Sequence, residues 1–132
     1  KYIHEKIIKL KLSKKVKIIP FQDNFYDFLK NSSGFISLSY LEGMPNIVIE
    51  AAIAKCPLIL SHIDAHRQLF KDDMALFLKN KDSISKYVDF INNNPKKISK
   101  MVENASFHIK KSFSTSNILE MYISNYRLIG SK

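Results

Sequence analysis

Short apolar runs of strand length alternate with segments of helical period along most of this chain, and that alternation narrows the folds open to it. Phe35-Ile36-Ser37-Leu38-Ser39, Leu58-Ile59-Leu60-Ser61 and Ala75-Leu76-Phe77-Leu78 are too short for stable helices and carry the compact apolar pattern of buried strands. Val16-Lys17-Ile18-Ile19, stopped by Pro20, reads as a fourth strand. Helical spacing lies between them. It is carried by Phe25, Phe28 and Leu29 after a capping Asp23 or Asn24, by residues 46–55, by residues 65–70, and by Ile84, Tyr87, Val88 and Ile91 after Asp82. Strands and helices in this order form right-handed crossover units, which predicts an α/β domain with a mostly parallel sheet and helices on both faces. Doubly wound sheets usually open on a strand, whereas Ile3, Ile7, Ile8, Leu10 and Leu12 give this chain a helical opening. One or more strands of the sheet are therefore expected upstream of Lys1.

Beyond Pro95 the strands stop. Ile98, Met101, Val102, Ala105 and Ile109 form one helical stripe with lysines opposite. Ser114-Thr115-Ser116 reads as the cap of a last helix bearing Ile118, Leu119, Tyr122, Ile123 and Tyr126. Residues 1–112 are thus read as the α/β domain. Residues 113–132 are read as a closing helix that packs on it or on a further domain.

A chain of 132 residues with 45% hydrophobic content builds one core. No apolar run approaches the ~20 residues that span a bilayer. The amino end is in helical pattern and carries no secretory signal. One cysteine, Cys56, excludes an internal disulfide and all-cysteine zinc sites, and it reads as a small buried residue of a reducing cytoplasm. The net charge of +9 favours anionic partners. The lysines are scattered, with pairs at Lys14-Lys15, Lys96-Lys97 and Lys110-Lys111, and lack the basic block, aromatic signature or zinc spacing of a nucleic-acid binder. Binding to nucleic acid is not expected. A basic surface resting on anionic phospholipid at the inner face of a membrane is the better fit, against a default of solvated lysine faces.

The stretch with chemical content is Glu42-Gly43-Met44-Pro45-Asn46-Ile47-Val48-Ile49-Glu50. It sets two carboxylates across a strand end, a turn and the start of a helix. Ligands of open α/β sheets sit at the carboxyl ends of strands. A helix N-terminus there offers free N–H groups and the positive end of a dipole to an anion. A carboxylate accepts two hydroxyls at once, as a vicinal diol offers them. Pro45 has no N–H and is read as pinning the turn.

In this setting "FISLSYLEGMPNIVIEAAIA", from Phe35 to Ala54, resembles the family-4 retaining glycosyltransferases of the GT-B fold, whose signature is a Glu, seven residues and a second Glu in a strand–loop–helix. The likeness extends to residues 16–29, to "LILSHIDAHRQL" and to the closing helices. It implies the Rossmann-like three-layer α/β/α half of a two-domain enzyme, the carboxyl-terminal one that binds a nucleoside-diphosphate sugar. It implies that Glu42 holds hydroxyls of the transferred sugar. It implies that Gly43, Met44, Asn46 and Ile47 present the loop and its amides to sugar and pyrophosphate, that Glu50 holds the ribose diol, and that residues 19–22 face the base. A glycan or lipid-linked acceptor would be read by the other domain. No catalytic residue, metal or cofactor is assigned to this stretch of chain, which alone is expected to be inactive. The family often has Gly where Lys55 stands, so the turn there either needs no positive φ or is built differently. Arg67 is followed by Gln68 rather than Glu, so no structural ion pair is expected at Arg67. A sugar-nucleotide epimerase, a phosphorylase or a non-catalytic nucleotide-binding module remain as alternatives.

The histidines carry less. His62 and His66 flank a strand-end loop near where a donor sugar would lie, but no acidic or cysteine partner gives them a metal spacing. His4 and His108 read as surface positions. Ser37, Ser39 and Ser61 show no nucleophile elbow.

Overall fold

The computed structural model describes residues 2–79 and 83–117. Three strands, β1 (Phe35–Ser37), β2 (Leu58–Ser61) and β3 (Leu76–Leu78), form one parallel sheet in chain order. Phe35 stands opposite Leu58, and Ile59 opposite Leu76. Helix α1 (Tyr2–Lys9) and helix α2 (Phe25–Lys30) precede β1, and α3 (Asn46–Ile53) crosses from β1 to β2. Helix α4 (Asp64–Leu69) leads to β3, and α5 (Ile84–Asn93) and α6 (Pro95–Ser112) follow.

Packing follows the helical stripes. Helix α3 turns Val48, Ala51 and Ala52 inward, against both β1 and β2 and against α2 and α6. Small alanines allow the close approach of α6, which buries Ile98, Met101, Ala105, Ser106 and Ile109 at the spacing read from sequence. Leu60, Phe70 and Ile109 are fully enclosed at the centre. Cys56 is buried in the same cluster, and burial raises its thiol from the usual 9.0 to about 11, because the thiolate would lose its hydration. Pro95 opens α6 at a position where its missing N–H costs nothing.

Residues 16–19 are not a strand. The apolar pattern is present, but the backbone of residues 17–22 makes no hydrogen bond to another backbone group among the described residues. A strand exists only through its ladder, and β1, the edge of the described sheet, pairs with β2 alone. Val16, Ile18 and Ile19 are left exposed, as are Ile36 and Leu38. Helix α1 is equally amphipathic yet buries nothing; Ile3 and Ile8 are 62% and 68% exposed.

Of the two readings of the turn after α3, the structure takes the second: the positive φ is kept, without glycine. Lys55 has a φ of 59°, inside the left-handed region. Cys56 N–H donates to the Ala51 carbonyl at 3.0 Å and Lys55 N–H to the Ala52 carbonyl at 3.1 Å. This is a Schellman cap, built with lysine where glycine is usual. The Lys55 ammonium then reaches Glu103 on α6 at 2.7 Å.

Ser83, not Asp82, is the residue preceding α5; Asp82 lies outside the described residues. Ser114 Oγ accepts the Asn117 N–H at 3.3 Å, and residues 115–117 are helical, in keeping with the cap read there. The expected stripe from Ile118 to Tyr126 lies outside the described residues.

Candidate functional site

The loop from Leu38 to Pro45 leaves the carboxyl end of β1 and enters α3 through Pro45, whose φ of −81° suits that approach. Pro45 is buried, and its carbonyl accepts the N–H groups of Val48 and Ile49 at 3.0 and 3.1 Å. No side chain caps the helix and no acid occupies its first turn. The positive end of the α3 dipole therefore faces outward uncompensated by the chain.

Three amides were read as donors to a ligand, and they differ. The Asn46 N–H already donates to the Met44 carbonyl at 2.9 Å, in a three-residue turn. The N–H groups of Met44 and Ile47 have no acceptor among the described residues, and neither does that of Gly43. Asn46, Ile47 and Glu50 lie on the exposed face of α3, one turn apart, opposite Val48, Ala51 and Ala52. Glu50 makes no hydrogen bond or ion pair among the described residues. Its exposure removes the desolvation cost that an apolar run would have imposed. A Cβ added at Gly43 would meet nothing within 4 Å, so packing does not require glycine there.

Glu42 is placed otherwise. Its side chain is only 20% exposed. Ser37 Oγ at the end of β1 lies 3.5 Å from Glu42 Oε1, and His66 Nε2 on α4 lies 3.8 Å from Glu42 Oε2. Beside it opens a crevice of about 260 Å³ lined by Tyr40, Leu41, Glu42, Ile63, Asp64 and Ala65, between the β1 loop and the start of α4. This is the position at strand ends where open α/β sheets take ligands.

Sequence reasoning did not foresee the groups behind Glu42. His66 is fully buried, and Ser61 Oγ ties the ends of β1 and β2 by donating to the Ser39 carbonyl at 2.6 Å. The signal was there in part: His66 and Phe70, which directly follows α4, are four apart in sequence, and both are enclosed. Arg67 is engaged, contrary to the sequence reading. It pairs with Asp72 at 2.6 Å, a residue beyond the helix rather than its neighbour, and its guanidinium lies 4.2 Å from the centre of the Phe77 ring. His62 lies edge-on to the same ring at 5.9 Å. Among the described residues no three His, Cys, Asp or Glu side chains gather as a metal-ligand group, and no helix is long and apolar enough to cross a membrane.

Known proteins share this fold. The chain is 42% identical over 57 residues to the uncharacterized glycosyltransferase MJ1059 of Methanocaldococcus jannaschii, a stretch that is 43% of this chain and 14% of that protein. It superposes on Alr3699/HepE of Anabaena, solved in complex with UDP, with a TM-score of 0.86 at 15% identity, over 96% of this chain and 36% of that one. On sucrose-phosphate synthase of Thermosynechococcus elongatus the TM-score is 0.82 at 17% identity, over 98% of this chain and 34% of that one. The chain thus spans about a third of the length of those structures, and its fold is that of one half of a GT-B glycosyltransferase. The family model described as glycosyl transferases group 1 matches residues 1–107. With that match covering the sheet, the two-carboxylate loop and most of α6, the chain belongs to the group 1 glycosyltransferases.

Proposed function

We propose that this chain is the donor-binding half of an enzyme that moves a hexosyl group from a nucleoside diphosphate to a glycan or lipid-linked acceptor, with retention at the anomeric carbon. The observation that carries the reading is the pairing of an inward, partly buried Glu42 with the open amides of Met44 and Ile47 at the uncapped start of α3. Anionic pyrophosphate is matched by the amides and the helix dipole. Sugar hydroxyls are matched by Glu42, and a ribose diol by Glu50 one turn along the exposed face. Gly43 leaves open space for the ligand to approach the backbone. The amide of Asn46 is taken by Met44, so Asn46 contributes through its exposed side chain. The solved structure of Alr3699/HepE with UDP-glucose, which shares this fold, supports a nucleotide sugar as the ligand class.

The acceptor is bound by a second domain, and such products belong to polysaccharide, lipopolysaccharide or glycoconjugate synthesis in the cytoplasm. The chain alone does not turn over, because a closed cleft between two domains positions both substrates and excludes water. The donor is held without a metal ion, and the basic surface rests on anionic lipid beside the acceptor.

Titration calorimetry of the full-length protein with UDP, GDP and ADP and their sugars tests the reading. One nucleoside diphosphate and its sugar are expected to bind in preference to the corresponding monophosphate, and Glu50→Ala to weaken them about ten- to a hundredfold. Binding that is absent throughout, or indifferent to Glu50→Ala, would sink the donor site.

A further inference from the structure

Behind Glu42 lies a side chain with an unmet need. His66 is fully buried, and its Nε2 has no hydrogen-bond partner, although Glu42 Oε2 is 3.8 Å away. The other ring nitrogen is settled by its surroundings. Nδ1 lies 2.9 Å from the Ser61 carbonyl oxygen, an atom that can only accept, so Nδ1 carries a hydrogen. Ser61 Oγ, 3.3 Å from Nδ1, agrees with this: its own hydrogen goes to the Ser39 carbonyl, leaving a lone pair toward the ring. A neutral imidazole in that tautomer turns a bare lone pair at Nε2 toward a carboxylate. That leaves the enclosed Nε2, an acceptor facing an acceptor, unsatisfied. One additional proton between Nε2 and the Glu42 carboxylate resolves the conflict.

We propose that His66 and Glu42 share a single proton, and that His66 is the positioning residue that aims the Glu42 carboxylate at the donor sugar. The second half of this statement rests on the donor-site reading above; the first does not. The shared proton would hold Oε2, the Ser37 hydroxyl faces Oε1, and Glu42 lines the crevice. One chain of contacts then runs from the Ser39 carbonyl through Ser61 and the imidazole to Glu42, tying the ends of β1 and β2 and helix α4 to the sugar-binding group.

Nitrogen NMR of the full-length protein labelled in histidine reads the proton directly, without ligand. The expected spectrum for His66 has a protonated Nδ1 and an Nε2 that is protonated or strongly hydrogen-bonded, reverting to a bare nitrogen in Glu42→Ala. A bare Nε2 in the parent protein, unchanged by Glu42→Ala, would overturn the shared proton. Two substitutions read the positioning role. His66→Gln places an amide near the Nε2 position, and His66→Asn places one near Nδ1. The donor KM is expected to stay within a few-fold in His66→Gln and to rise about tenfold in His66→Asn. The reverse order would show a strap to Ser61 alone and overturn the positioning role. A parent protein that binds no nucleotide sugar at all refutes the donor-site reading and with it the positioning role, while the nitrogen spectrum still decides the shared proton.

Discussion

The two carboxylates of the motif occupy unlike ground. Glu42 follows β1, faces a serine and a histidine, and keeps only a fifth of its side-chain surface in solvent. Glu50 stands one turn inside α3 on the solvent side and is exposed, with no partner among the described residues. If both groups hold the proposed donor, the strand-end one is set before the ligand arrives, whereas the helix one loses rotamer freedom on binding, a loss that subtracts from affinity. On the proposed reading, preorganisation belongs to the sheet's carboxyl edge and not to the motif as a whole.

Substituting each in turn gives the largest test of that contrast. In the full-length enzyme Glu42→Ala is expected to lower kcat/KM roughly a hundredfold or more, since more than one charged hydrogen bond of about 1.5–3 kcal/mol is removed. Glu50→Ala is expected to act chiefly on donor KM, about tenfold, with thermal stability unmoved. Steady-state kinetics with varied donor checks both. Equal losses with the same split between kcat and KM would erase the distinction.

A smaller effect is expected between the two. Gly43→Ala adds a methyl group to open space in the protein but into the path proposed for the ligand. The unfolding midpoint is expected to stay put while donor affinity falls several-fold. A fall in stability with affinity unchanged would assign Gly43 to the turn and not to the ligand.

The same contrast explains what the sequence could tell. Local patterns with a local cause were legible: the stripe of α6, the strands at Leu58 and Leu76, and the loop between the two carboxylates all appear where the residues put them. Features that need a partner from elsewhere were not. Residues 16–19 have strand composition but no ladder, because no described strand lies beside them. His66 looked like a loop-flanking residue, since its burial comes from the fold of α4 onto the sheet ends, and its neighbour Glu42 is distant in sequence. Asn46 looked like an amide donor, yet the turn that delivers Pro45 consumes its N–H. Composition gives no warning of such competition between a turn and a ligand for one hydrogen.

The far end of α3 offers the finest discrimination. Lys55 holds a φ of 59° in the Schellman cap, where a side chain with a Cβ is strained by roughly 1 kcal/mol and glycine is not. Lys55→Gly removes that strain. It also removes an exposed ion pair to Glu103, worth less than about 1 kcal/mol, and adds freedom to the unfolded chain. These terms nearly cancel, so a net gain of about 0.5 kcal/mol or less in denaturant unfolding is expected. Donor affinity should not follow it. Helix α3 is seated by Val48, Ala51 and Ala52, and these fix Glu50 whether or not its last turn is relaxed. If affinity nevertheless rises or falls with Lys55→Gly, then the seating of α3 is softer than its packing implies, and Glu50 owes its position to the helix end as much as to the core.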